Sequence, residues 1–534
     1  MESHSTTQSN ANKQIARAAG TVMVAFLLTS VISLARGIVI LRTFGTGMEN
    51  EAFNAANRVS ETLYNLVAGG ALASAFIPTF TGFIAKKDKE GAWKLASSVI
   101  NLVVIFISFL GLLAALFAPQ VVRYLLAPDW FIHDPQKFYL TVQILKIILP
   151  ATVLFGVSGL VMGILNAHQS FLFPALAPSM YSLGIIFGVL FLSPSMGVYG
   201  MAWGVVIGSG LHLLVQIPKL LGLGGAYYPS LGLRNKAVKE VGVLMLPRLA
   251  GVAVVQLNFW VNTNLASRYS EGSVTGLTYG FTLMLMPLMF IAQAIATASL
   301  PTFSEQVALG KIPEMRSSLA SALRAVLLLS IPASMGMIIL RIPLIKVLYQ
   351  SGEAFTSEST QLVAWALLWY AAGLVGHSVV EIVSRAFYAL HDTRTPVMIG
   401  IGAMSINIIL SILLGKLFLT FGWMPHGGLA LANSIATGLE AVVLLLLMRR
   451  RLHGLQGSKI LAAIWRALLA VSCMGVALYM GINYWINLPA WLLLIGGAVL
   501  GVLIYGFIIT ILKVEEVFQL FDVFKRKVLV RIIK

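Results

Sequence analysis

The chain has 534 residues, 58% of them hydrophobic and only 11% charged. An ordinary soluble domain carries about 25% charged residues, so a soluble globular protein is excluded. The formal charge of +17 is divided among short polar connectors, with no recognition fold or aromatic-basic interleaving, so no nucleic-acid partner is expected.

Residues 1–12 are polar, and the first apolar run, preceded by Lys13 and Arg17, reads as a permanent span rather than a cleaved signal. Apolar runs of roughly 20 residues then recur, each long enough to cross a hydrocarbon layer of about 30 Å as a helix. Fourteen spans are predicted, near 18–43, 52–84, 93–118, 137–166, 171–192, 197–220, 236–266, 274–304, 316–348, 358–389, 394–419, 426–449, 460–484 and 488–512. In lipid the backbone satisfies its own hydrogen bonds, so such runs imply a helical bundle. The expected fold class is all-α, polytopic in the membrane.

Basic residues support this division. With the amino terminus cytoplasmic, 23 of the 37 Lys and Arg fall on the cytoplasmic side, and Arg42, Arg123, Lys137 and Arg268 alone fall opposite. The positive-inside rule predicts this asymmetry. The tail, 513–534, reads as a basic amphipathic segment at the cytoplasmic surface, contacting membrane lipids or acting as an orientation anchor.

A repeat divides the chain further. ALASAFIPTF (Ala71–Phe80) returns as AIATASLPTF (Ala294–Phe303), 223 residues later, at the ends of spans two and eight. His168 and His391 form a second pair at the same offset, whereas Pro174 and Pro396 differ from it by one. Six spans, an even number, separate the copies. Two parallel six-helix lobes are therefore expected, 13–220 and 236–449, joined by a linker at 221–235. A basic loop at 450–459 leads to two added spans within 460–512. Pro78 and Pro301 either kink their helices for gating or terminate them at the interface.

Charges inside apolar spans mark candidate sites. Arg36, Glu51, Arg58 and Glu61 form a possible polar lining of the first lobe. The two arginines suit a phosphate, because guanidinium donates several directed hydrogen bonds. Interface anchoring and local pairing are the plainer alternative. Glu381 and Arg385, four apart, are a structural pair or a cargo site, and Arg248 is placed to face the same cavity. Asn258, Asn262, Asn407 and Asn433 serve as interhelical hydrogen-bonding groups or a small-cation site. Cys473, the single cysteine, reads as an inert core thiol. There is no HExxH pattern, no Walker A loop and no spaced histidine cluster, so neither an enzyme nor a bound cofactor is expected.

Four segments carry a family resemblance: LARGIVILRTFGTGMENEAFNAANR, GALASAFIPTF, GSVTGLTYGFTLMLMPLMFIAQAIATASLPTFSE and SRAFYALHDTRTP. Over about residues 15–512 the chain resembles the MurJ/MviN family of lipid II flippases, within the multidrug/oligosaccharidyl-lipid/polysaccharide exporter superfamily. The resemblance implies a fourteen-helix flippase of the bacterial inner membrane, working by alternating access. It implies undecaprenyl-pyrophosphate-linked peptidoglycan precursor, lipid II, as cargo, and a lipid-tail groove at 460–512. Another polyprenyl-linked glycan is the alternative cargo. A monomer completes such a path, and a monovalent cation or the membrane potential could bias the cycle. Arg36 matches a family cavity arginine, Glu51 a position often Asp, Arg58 one often Lys, and Ser273 a family serine. Departures fall at Ser30, at Tyr64 and Asn65 (usually an arginine pair), at Phe281 and Thr282 (usually Asp-Arg), and at Leu285. Arg248 or Arg385 could compensate for this lost charge.

Overall fold

The computed structural model describes residues 25, 28–67, 71–350, 353–485 and 487–514; of these, the side chains at 67, 71–75, 246–248 and 250 are left out. Residues 1–12 and the tail from 515 onward lie outside the described residues. The described residues form two compact units, divided between Glu271 and Gly272.

The first unit contains helices α1 (28–44), α2 (Met48–Val67), α3 (Ala71–Ala85), α4 (Lys89–Leu116), α5 (Pro135–Ala167), α6 (Leu172–Met196), α7 (Val198–Leu221) and α8 (Lys236–Ala266). The second contains α9 (Ser273–Ala308), α10 (Ile312–Tyr349), α11 (Ser357–Ala389), α12 (Arg394–Thr420), α13 (His426–Arg451), α14 (Gly457–Tyr484) and α15 (Ala490–Ile511). Among the described residues, eleven of these helices, α4–α7 and α9–α15, are long and apolar enough to cross a membrane. The protein is an all-α polytopic membrane protein. Of the predicted second span the structure describes α2 and α3, on either side of residues 68–70.

Close approach of small residues sets the packing within the first unit. A Cβ on Gly184 of α6 would lie 2.2 Å from the Cα of Gly208 on α7. Backbone cannot yield there, so the crossing requires glycine. Interior α5 has its apolar window largely covered by protein, whereas α15 is mostly exposed. Exposed Val502, Leu503 and Phe507 on α15 suit a lipid solvent.

The segment 221–235, predicted as a linker, is stitched to α4. Asn101 Nδ2 donates to the Ser230 carbonyl (2.9 Å), the Tyr228 amide donates to Ser97 Oγ (3.1 Å), and Tyr227 Oη donates to Asn101 Oδ1 (2.6 Å). Beyond it, α8 packs with the first unit rather than opening the second. Val238 and Val241, three apart on one helix face, join the core formed by Phe76, Phe80, Leu95 and Ile164.

Neither repeated proline ends its helix. The α3 helix continues from Pro78 to Ala85, and α9 from Pro301 to Ala308; the termination reading is therefore corrected. Both prolines are exposed, while the phenylalanines two residues on, Phe80 and Phe303, are buried. The histidine pair is also out of register. The left-handed residue after α5 is Gln169 (φ 57°), and the one after α11 is His391 (φ 59°). That offset is 222, the offset of Pro174 and Pro396, which occupy the third position of α6 and α12.

Candidate functional site

On the first unit a polar seam runs between α1 and α6. Thr29, Ser33 and Arg36 are spaced four and three apart and so share a face. Thr29 Oγ1 lies 2.6 Å from Ser179 Oγ, Ser33 Oγ 3.3 Å from Ser182 Oγ, and Arg36 Nη1 donates to Ser182 Oγ at 3.5 Å. The Arg36 guanidinium stands 5.7 Å from the centroid of the Tyr181 ring. It is partly exposed and has hydroxyl and ring neighbours, which leave most of its five donors available.

A second cationic point lies on α2. Arg58 Nη1 donates to Glu61 Oε2 (2.9 Å), and its guanidinium is 5.1 Å from the Phe259 ring of α8. Among the described residues its Nε is buried without a partner. Below it, Thr62 Oγ1 accepts from Trp260 Nε1 (2.7 Å), donates to the Arg58 carbonyl (2.7 Å) and lies 3.2 Å from Gln256 Oε1. These bonds hold α8 against α2.

Glu51 occupies a different setting. It is 2% exposed and ion-paired with Lys137, which is 4% exposed. The Lys137 ammonium also stands 4.3 Å from the Trp130 ring. The pair joins the start of α2 to the start of α5, so Glu51 is covered by protein. Its partner lies 86 positions away, which no local spacing reveals.

In the second unit Arg385 Nη2 donates to Glu381 Oε1 (2.7 Å), with both side chains partly exposed. One turn earlier, His377 Nε2 lies 3.1 Å from Asn433 Oδ1 and 3.4 Å from Thr437 Oγ1. Ser273 is buried at the start of α9. The Arg248 side chain lies outside the described residues. Asn262 Nδ2 donates to Asn258 Oδ1 (3.2 Å) within α8, and Ser411 Oγ donates to Asn407 Oδ1 (2.9 Å) within α12. Among the described residues Asn407 Nδ2 is buried without a partner. Phe281 packs on Tyr370 (5.2 Å) and His377 (6.3 Å), and Thr282 Oγ1 donates to the Thr278 carbonyl (2.8 Å). This part of α9 is thus aromatic and hydroxylic. Cys473 is exposed, which corrects the reading of a core thiol.

The turn before α12 is tied by Asp392. Its Oδ1 accepts from the Thr395 amide (3.0 Å), and its Oδ2 accepts from the Thr395 hydroxyl (2.8 Å) and Arg451 Nη1 (3.1 Å). The Thr395 amide bond leads in holding this carboxyl below the ordinary carboxylate range. The HDTRTP phrase is therefore a left-handed residue followed by a carboxylate-closed turn into a helix.

Guanidinium-bearing polar seams on the helices of a polytopic membrane fold suit a membrane transporter. Among solved structures it is similar to "Lipid II flippase MurJ, inward closed conformation", with TM-score 0.78 and 26% identity, covering 92% of this chain and 98% of that one. An inward-facing MATE family transporter of the MOP superfamily shares the fold, with TM-score 0.65 and 17% identity, covering 82% of this chain and 99% of that one. Residues 40–496 match the family model described as "Lipid II flippase MurJ". "Lipid II flippase MurJ" of Burkholderia cenocepacia is 32% identical over 82% of this chain and 84% of its own. The "Probable lipid II flippase MurJ" of Vibrio cholerae is 30% identical over 84% of each chain. The chain belongs to the MurJ family.

Proposed function

We propose that this protein moves lipid II, an undecaprenyl-pyrophosphate-linked peptidoglycan precursor, from the cytoplasmic to the periplasmic leaflet. Membership of the MurJ family supports transport of a lipid-linked glycan by alternating access. The observation that carries the finer reading is the pair of partly available guanidiniums, Arg36 and Arg58, on helices α1 and α2 of one unit. A pyrophosphate crossing lipid unassisted loses its hydration at high cost. Arginine replaces that water with directed, charge-assisted donors. Arg36 and Arg58 would hold the pyrophosphate, Glu61 would occupy Arg58 between cycles, and the Arg385–Glu381 pair would serve the second unit. Glu51 acts through Lys137 as a positioning residue, holding α2 in place.

The amino terminus is placed in the cytoplasm by the charge asymmetry of the connectors, and the protein works as a monomer in the bacterial inner membrane. The membrane potential or a monovalent cation biases the cycle, and the lipid tail lies along α14 and α15. The aromatic surroundings of Phe281 favour a second reading, in which another polyprenyl-linked glycan is carried. Identifying the lipids that copurify in mild detergent tests the choice. Retained lipid II supports the first reading; a different polyprenyl-pyrophosphate glycan supports the second, and retention of phospholipid alone contradicts both.

A further inference from the structure

Helix α10 holds an arginine that none of the seams above uses. Arg341 sits eight residues before Tyr349 at the helix end, about 12 Å along the axis. Sixteen residues without a charge, 325–340, separate it from Arg324. An arginine that snorkels to the membrane surface would lie on the lipid side of its helix. Arg341 does not. It follows Ser334 by seven and precedes Ile345 by four, so it shares their helix face. Both of those residues are buried, and Ser334 Oγ donates to the Ala371 carbonyl of α11 at 2.7 Å.

Along this inward stripe, Leu327, Ser330, Ser334, Ile345 and Tyr349 are buried. On the same face Met337, Ile338, Arg341 and Leu348 are partly exposed. The cover is therefore interrupted where the cation stands. Among the described residues Arg341 makes no ion pair, and its hydrogen bond goes to its own helix, from Nη1 to the Ile338 carbonyl at 2.5 Å. A guanidinium left with unused donors on an inward, uncovered patch of a spanning helix is an anion site in want of an anion.

We propose that Arg341 is a cargo-binding residue of the second unit that receives the pyrophosphate of the lipid. This rests on the pyrophosphate-lipid reading above and adds a cationic residue on α10 of the second unit. The planar fork of the guanidinium matches two phosphate oxygens, which an ammonium cannot do.

The test uses the full-length protein in nanodiscs, with undecaprenyl pyrophosphate and undecaprenol as probes, and Arg341→Gln and Arg341→Lys as variants. Arg341→Gln is expected to weaken pyrophosphate binding about tenfold and Arg341→Lys about threefold. Binding of the alcohol and the melting temperature stay at the wild-type level. A variant that folds and binds the pyrophosphate like wild type overturns the assignment, as does equal loss of pyrophosphate and alcohol. If Arg341→Gln does not fold, Arg341→Lys decides by the same criteria. A wild-type protein that does not prefer the pyrophosphate to the alcohol removes the pyrophosphate-lipid reading and the role of Arg341 together. A variant matching a wild type that does prefer it removes Arg341 alone.

Discussion

Removing one member of the buried Glu51–Lys137 pair tests how the first unit is held. With exposures of 2% and 4%, neither charge can be rehydrated without moving helices. Glu51→Ala leaves an ammonium with the Trp130 ring at 4.3 Å, a contact that returns up to about 2 kcal/mol when desolvated. Breaking a buried pair costs about 3–5 kcal/mol, because the remaining charge is stranded. At about 2 °C per kcal/mol for a unit of this size, Glu51→Ala or Lys137→Met should lower the melting temperature by about 6–10 °C. The double variant Glu51→Ala/Lys137→Met removes both charges and should regain most of that loss. Thermal unfolding in detergent, followed by tryptophan fluorescence, reads all four proteins. Equal melting temperatures for the single variants and wild type, or single losses that simply add in the double, would refute the buried-pair argument.

Asp392→Ala should cost about 1.5–3 kcal/mol at pH 7, since a carboxylate leaves its donors. The folded Asp392 pKa is depressed, so its contribution is present above the unfolded value and is lost as pH falls through the folded value. Wild type and variant should therefore converge in acid, and a gap independent of pH would contradict this. Gly184→Leu should prevent the α6–α7 crossing, because even a Cβ there lies 2.2 Å from Gly208 Cα; wild-type expression and melting would refute it. Glu61→Gln removes a part-exposed partner of Arg58, so stability should change by less than about 1 kcal/mol while lipid II binding tightens. Weaker binding in an equally stable protein would contradict that role.

The helical membrane fold is legible because lipid forces long apolar runs into helices, and α4 and α15 are little else. The unit boundary is not legible in the same way. The polar segment 221–235 resembles a linker, yet Tyr227, Tyr228 and Ser230 bond it to α4, and Val238 and Val241 place α8 in the first core. Hydropathy reports solvent, not partner. Arg36, Arg58 and Arg385 stand out as charges within spans, and Glu61 and Glu381 are found at helical spacing. Lys137 reads as one of four outward basic residues, since its partner Glu51 is far away in sequence. Arg341 goes unnoticed beside Lys346 until neighbouring burial marks its face as inward. His168 and His391 share an offset by coincidence, whereas the left-handed backbone at Gln169 and His391 carries the true local register.

Leaflet exchange of fluorescent lipid II in proteoliposomes tests the central claim most directly. Wild type should exchange the lipid well above protein-free vesicles, and Arg36→Ala/Arg58→Ala should fall by at least tenfold with its melting temperature retained, the loss of about two charge-assisted contacts. Exchange by the double variant at the wild-type rate, or wild-type exchange no faster than in empty vesicles, would contradict the account.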